Sequence, residues 1–194
     1  YAMNLAKNAR EDFVIIVEGY MDCISLHQAG FTNVIASLGT SLTDNQAKMI
    51  KRVFGQAIIA YDNDAAGQNA TLRGLDILAG LGCVVKVLML PAKDKFGNTI
   101  KDPDDFIRLM GKEEFKESLK NALMLVEYKA HLLKQTCDLK TSGGKIAFLK
   151  GVAAAIGQVQ SPVERDVYIK NISARYNTSY DALLKEVQNR TGDT

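Results

Sequence analysis

The sequence predicts an α/β domain built on a parallel sheet with helices on both faces, followed by a small α-helical subdomain. Three observations carry this expectation. Short β-branched runs alternate with amphipathic stretches through the first half of the chain, the pattern of strand–helix–strand units. From about Lys112 onward only helical periodicity remains, which marks a change of architecture. Acidic residues follow two of the apolar runs directly, at the strand ends where open parallel sheets bind their ligands.

The elements follow in order. Phe13-Val14-Ile15-Ile16-Val17 is a buried-strand signal, and a helical stretch runs from Tyr20 until Gly30 stops it. Val34-Ile35-Ala36 is a second short strand. Thr43, with Gln46 three residues on, makes a capping box that opens a helix to about Phe54. Ala57 to Tyr61 is the third strand. A helix from about Ala65 to Ala79 is expected to bury Leu72, Leu75 and Leu78 or Ala79 and to end at Gly80. Val84 to Leu90 is a fourth strand, closed by Pro91. Asp102 can then cap a helix with Pro103 at its first position.

Beyond this, Phe115, Leu119, Ala122, Val126 and Leu133 are spaced as one apolar stripe, and Ile146, Leu149, Ala153 and Ile156 as another. Ser161-Pro162-Val163-Glu164 is a strong helix start, and a last helix is expected from about Ser179 to Gln188. These readings divide the chain into residues 1–111 and 112–194.

Composition narrows the function. With 47% hydrophobic and 24% charged residues the chain can bury a core. No apolar run approaches the roughly 20 residues that span a bilayer, and the polar first ten residues do not read as a signal peptide. A cytoplasmic setting without a membrane partner is the expectation. The three scattered cysteines, Cys23, Cys83 and Cys137, do not read as a disulfide framework. Nor do they form a zinc site, since there is no C-x-x-C and His27 and His131 stand alone. A formal net charge of +2 does not announce a nucleic-acid binder, so any such role must rest on a local site. The chain starts at Tyr1 in mid-pattern, which suggests a piece of a longer polypeptide.

That local site is acidic. Glu18-Gly19 follows the first strand and Asp62-Asn63-Asp64 the third. First and third strands are usually neighbours in such sheets, so Glu18, Asp62 and Asp64 should converge on one edge. An acid after a strand can simply cap a helix. Three at two strand ends repel one another, and a hard divalent cation such as Mg²⁺ is the natural neutraliser. Asp102 and Asp104, after the fourth strand, either cap and complement their helix or hold a second ion. Asp22 is a weaker candidate that could serve as a helix-dipole partner. The small-residue loop containing Gly39 and Thr40 precedes a helix N-terminus, where free N–H groups suit a phosphate. Gly19 permits a tight turn beside the metal.

These residues resemble a known family. Glu18-Gly19-Tyr20-Met21-Asp22 and Tyr61-Asp62-Asn63-Asp64-Ala65-Ala66-Gly67 are similar to the E…DxD signature of the Toprim domain of primases, topoisomerases and certain nucleases. Ala36-Ser37-Leu38-Gly39-Thr40, Lys101-Asp102-Pro103-Asp104-Asp105-Phe106-Ile107 and Pro162-Val163-Glu164-Arg165-Asp166 resemble the bacterial DnaG-type DNA primases in particular. The stretch Ala92 to Ile100 is longer than the usual connection in that pattern.

The resemblance implies a Toprim-like sheet and template-directed synthesis of short RNA primers from ribonucleoside triphosphates. It implies a catalytic role for Glu18, Asp62 and Asp64, which would hold Mg²⁺ or Mn²⁺, with Asp102 and Asp104 assisting a second ion. Implied partners are single-stranded DNA template, ribonucleoside triphosphates and RNA primer. The replicative helicase is expected to be bound through a domain outside this chain, as are a zinc-binding domain and a basic template-contacting subdomain. The rival readings are another Toprim enzyme, such as a nuclease or a topoisomerase cleavage module, a phosphoacceptor receiver domain of the same layered architecture, and a metal-binding or protein-interaction module without catalysis when isolated.

Overall fold

The computed structural model describes residues 1–39 and 42–191. Two compact units form, Tyr1–Leu123 and Met124–Thr194.

The first unit is built on a sheet of order β2-β1-β3-β4-β5. Its strands are β1 (Phe13–Val17), β2 (Val34–Ala36), β3 (Gln56–Ile59), β4 (Val84–Val87) and a two-residue edge strand, β5 (Leu123–Met124). The first four run parallel, so each is joined to the next by a crossover. The crossovers carry α2 (Tyr20–Gln28), α3 (Asp44–Val53) and α4 (Ala65–Gly80). β1 and β3 are adjacent, as expected, with Ile16 opposite Ile59. Extending that register by two residues sets Glu18 level with Tyr61, one residue before Asp62. Val14 to Val17 and Ala57 to Ala60 are almost wholly inaccessible to solvent, as continuous apolar runs in a doubly covered parallel sheet should be.

Local chemistry bounds the helices. Gly30, in the left-handed region at φ 94°, turns the chain after α2. The Thr43–Gln46 capping box forms as read: the Gln46 N–H donates to Thr43 Oγ1 and the Thr43 N–H to Gln46 Oε1. Gln46 also donates through Nε2 to the Ser37 carbonyl at 2.8 Å, tying α3 to the loop after β2. Leu75 and Leu78 of α4 are buried, while Leu72 is only half-buried. A single turn at the N-terminus, α1 (Met3–Ala6), had no signal in the sequence pattern.

After β4 the chain forms α5 (Pro103–Met110) and α6 (Lys112–Lys120). The expected division after Gly111 falls between these two helices, whereas the compact unit continues to Leu123. The reason is packing: Phe106, Phe115 and Leu119 belong to one core cluster with Ile15, Val17, Leu26 and Ile100. Phe106 and Phe115 meet edge to face with ring centroids 5.4 Å apart, and burying each ring contributes on the order of 2–3 kcal/mol.

The second unit holds α7 (Leu125–Thr136), α8 (Ser142–Gly157), α9 (Pro162–Tyr176) and α10 (Tyr180–Thr191). α8 packs against the other three. Its buried face is Phe148, Val152, Ala153, Ala155 and Ile156, and Ile146 is 55% exposed. The expected stripe therefore meets the core at Ala153 and Ile156 but not at Ile146, because an almost uniformly apolar helix gives periodicity little to discriminate. The other stripe is broken: Phe115 and Leu119 lie on α6, Val126 and Leu133 on α7, with a non-helical step between them. Ser161 caps α9 by accepting the Glu164 N–H at 3.3 Å, with Pro162 at the first position.

Candidate functional site

The acids expected to converge stand on loops that the sheet brings together. The Asp62 backbone N–H donates to Glu18 Oε1 at 3.2 Å, a bond between residues 44 apart in sequence. Asp64 caps α4, accepting the Gly67 N–H at 2.7 Å. Asn63, between them, donates its N–H to the Lys101 carbonyl at 2.8 Å and so ties this loop to the segment before α5. Asp102 caps α5 by accepting the Asp105 N–H at 2.7 Å, with Pro103 at the first position. Asp62, Asp64 and Asp102 share a cleft of about 350 Å³ with Ala92, Thr99 and Lys101.

Asp22, weighted least in the sequence, sits at the junction of two helices and is only 7% exposed. One carboxylate oxygen accepts the Gly19 N–H at 3.1 Å, and the other accepts the Asp104 N–H at 3.3 Å across 82 residues of sequence. Asp104 turns toward α2, where its Oδ1 accepts a hydrogen bond from Ser25. Through that oxygen Asp104 joins α5 to α2, and it is not among the residues that line the cleft. The AspxxSer spacing on α2 was the available signal for this link; the partner on α5 had none.

Electrostatics registers the crowding. Burial pushes the Asp62 carboxyl up to about 7, helped by the charges of Glu18, Asp22, Asp102 and Asp64. Glu18 is raised by burial and by the Asp64 and Asp22 charges, although the Asp62 N–H pulls the other way. Asp22 is raised by burial and by Asp102 and Asp104, against the Gly19 and Asp104 amides. Desolvation and like charge both disfavour the ionised form.

Asp62 Oδ1 is buried with no hydrogen-bond partner. An anionic oxygen withdrawn from water and from every donor suits a cation. Among the described residues, no three acid, histidine or cysteine side chains close into a finished cage. Mg²⁺ is usually held by one or two carboxylates and completed by waters and substrate phosphates, so the donor set fits an open site.

The remaining candidates differ. Gly19 is the N-cap of α2 in extended conformation. Gly39 is exposed, with nothing near its α-carbon to require a glycine. Thr40 lies outside the described residues. Two features had no reading in the sequence. Leu38 is in the left-handed region at φ 56° and donates its N–H to the Glu18 carbonyl at 3.1 Å. Gly67 sits so close to the Asp62 backbone that an added Cβ would lie 2.2 Å from the Asp62 carbonyl oxygen.

Known proteins are similar to this chain in sequence and fold. A family model described as Toprim-like matches residues 15–107, and one described as the DnaB-helicase binding domain of primase matches residues 126–179. A DNA primase of Clostridium acetobutylicum is 45% identical over 193 residues, which is 97% of this chain and 31% of the relative. The chain belongs to the bacterial DnaG-type primase family.

Among solved structures, a DNA primase domain from Pseudomonas aeruginosa is similar with a TM-score of 0.76 and 28% identity, over 97% of this chain and 58% of that one. A DnaG primase catalytic domain bound to ssDNA is similar with a TM-score of 0.75 and 28% identity, over 94% of this chain and 57% of that one. The chain thus spans about a third of the length of the curated primase that it matches. The match over residues 126–179 also corrects one expectation. The family's helicase-binding description falls on this chain and not wholly outside it. No described helix is long and apolar enough to cross a membrane.

Proposed function

We propose that this chain carries the metal-dependent catalytic centre of a primase, an enzyme that copies single-stranded DNA into short RNA primers from ribonucleoside triphosphates. The observation that carries the reading is Asp62: a buried, unpartnered carboxylate oxygen, its acid pushed up to about 7 among neighbouring acids, at the carboxyl ends of adjacent parallel strands. In this reading Glu18, Asp62 and Asp64 hold Mg²⁺ or Mn²⁺, and Asp102 helps to hold a second ion. Bound there, the ions would neutralise charge on the attacking 3′-hydroxyl and on the leaving pyrophosphate.

The chain's own residues set the stage. Glu18 holds the Asp62 backbone in place, Asp64 is locked by its cap to α4, and Asn63 ties the loop to Lys101. Such pre-organisation spares reorganisation during the reaction. Asp104 holds α5 to α2 through Ser25 with one carboxylate oxygen, and its other oxygen is proposed to assist the second ion, as the family pattern implies.

Template binding by the whole protein is supported by the similarity to a primase domain solved with ssDNA. A replicative helicase is proposed as partner of residues 126–179, and the replicating chromosome in the cytoplasm as the setting.

The test is primer synthesis on single-stranded DNA by the whole polypeptide. Glu18→Gln should abolish synthesis while most template binding remains, because loss of metal contacts lowers rate without removing phosphate contacts. The 194-residue chain alone, with 24 basic against 22 acidic residues, should make little or no primer. Normal polymerisation by Glu18→Gln, or robust synthesis by the chain alone, would refute the proposal.

A further inference from the structure

The stretch Ala92 to Ile100, longer than the usual connection in the family pattern, is a built element. Lys93 and Thr99 form an antiparallel bridge. The Ile100 N–H donates to the Ala92 carbonyl at 3.0 Å, and the Asp94 N–H to the Asn98 carbonyl at 2.9 Å. Gly97, at φ 90°, closes the turn in the left-handed region, as a three-residue hairpin loop requires. Asp94 fills the inside of the turn, with Oδ1 accepting the Phe96 and Asn98 N–H groups and Oδ2 the Asn98 side-chain amide, each at 2.8 Å. A carboxylate with three donors holds the tip in one shape.

This hairpin is rooted beside the carboxylates. Ile100, 1% exposed, anchors it in the core. Ala92 and Thr99 line the same cleft as Asp62, Asp64 and Asp102, and Lys101 is bonded to the loop between the two aspartates. Its tip carries Phe96, 78% exposed and the most exposed large apolar residue among those described. Lys95 lies over the Phe96 ring, 5.2 Å from its centroid. Lys93 and Lys101 are exposed and have no ion-pair partner among the described residues. The tip's one acid is consumed within the turn.

A rigid hairpin that presents an aromatic ring flanked by lysines, next to an acidic cleft, has the chemistry of a base-stacking platform. Nucleobases stack on exposed aromatic rings, and lysines beside them meet the phosphates. We propose that Phe96 stacks on a base of the single-stranded polynucleotide held at the carboxylate site, with Lys93 and Lys95 against its backbone. The proposal rests on the polynucleotide chemistry inferred above.

The experiment uses the absence of tryptophan in this sequence. Phe96→Trp places the chain's sole indole at the tip, and titration with oligo-dT and oligo-rU at low ionic strength should quench its fluorescence saturably. Anisotropy of labelled oligomers should show Phe96→Ala weakening binding about 5- to 100-fold. The salt slope should stay unchanged for that variant and fall by about 0.7 for Lys93→Gln or Lys95→Gln. DNA and RNA oligomers should respond equally, because a ring reads the base face and not the sugar. An unquenched indole, or Phe96→Ala affinity indistinguishable from the parent, overturns the proposal. Neither result touches the Glu18→Gln test of catalysis, so the two readings fail separately.

Discussion

Replacing Gly67 by alanine probes the closest packing at the candidate site. The added Cβ would lie 2.2 Å from the Asp62 carbonyl oxygen, 2.9 Å from the carbonyl carbon and 2.9 Å from Glu18 Oε1, where ordinary contact begins at 3.4 Å. The loop bearing Asp62 must therefore move from α4 by more than an ångström, and it is backbone that must move. Overpacking of this kind costs about 1–3 kcal/mol, offset by up to about 1 kcal/mol from the better helix propensity of alanine. The net loss should be about 1–2 kcal/mol, or roughly 2–8 °C in melting temperature for a chain of this size. Gly80→Ala is the control, on the same helix with nothing within 4 Å. It should be neutral or stabilising by up to about 1 kcal/mol. Thermal melts of both variants in chelator decide the matter. A Gly67→Ala protein as stable as Gly80→Ala would refute the close-packing account, since the same chemical change would then carry the same sign in both places.

The remaining predictions follow from the acids and the core. Burial and the neighbouring acids push the Asp62 carboxyl up to about 7 from the ordinary 3.8. Its contribution to stability is therefore full below pH 3.8 and lost as pH rises through about 7. Asp62→Asn should accordingly melt above the parent at pH values beyond 7 in chelator, by roughly 2–6 °C after allowance for solvent screening. The difference should vanish near pH 3.8, and a gap independent of pH would contradict it. The pair Asp62→Asn with Asp64→Asn should abolish weak Mn²⁺ binding, and an unchanged Mn²⁺ titration would remove both residues from the metal site. Phe106→Ala, at a fully buried position edge-on to Phe115, should cost about 3–5 kcal/mol. Denaturant midpoints that barely move would mean that the ring does not hold α5 and α6 to the sheet.

Much of the architecture is local chemistry and was legible for that reason. The Thr43–Gln46 box, Asp102-Pro103 and Ser161-Pro162 each start a helix through contacts within one turn. Strand β1 is a five-residue β-branched and aromatic run that needs no partner to be recognised. Glu18 and the Asp62–Asp64 pair were placed by a rule about strand ends, and the adjacency of β1 and β3 brought them together. Where the pattern was ambiguous, as in apolar α8, the chosen stripe held only in part: Ala153 and Ile156 are buried but Ile146 is exposed, because both faces carry apolar residues.

By itself, then, the sequence determined the four parallel strands, the starts of α2, α3, α4, α5 and α9, the parallel class of the sheet and the acids at its edge, because each depends on short-range periodicity or on end chemistry. Only the tertiary structure decided that Asp22 links two helices through the Asp104 amide, that Asp104 accepts a bond from Ser25, and that Gly67 presses on Asp62. It also decided that α6 joins the first unit and that the Ala92–Ile100 stretch stands beside the carboxylates. These depend on which backbone groups meet across tens of residues, and no spacing along the chain encodes a meeting made by the closure of the sheet and its core.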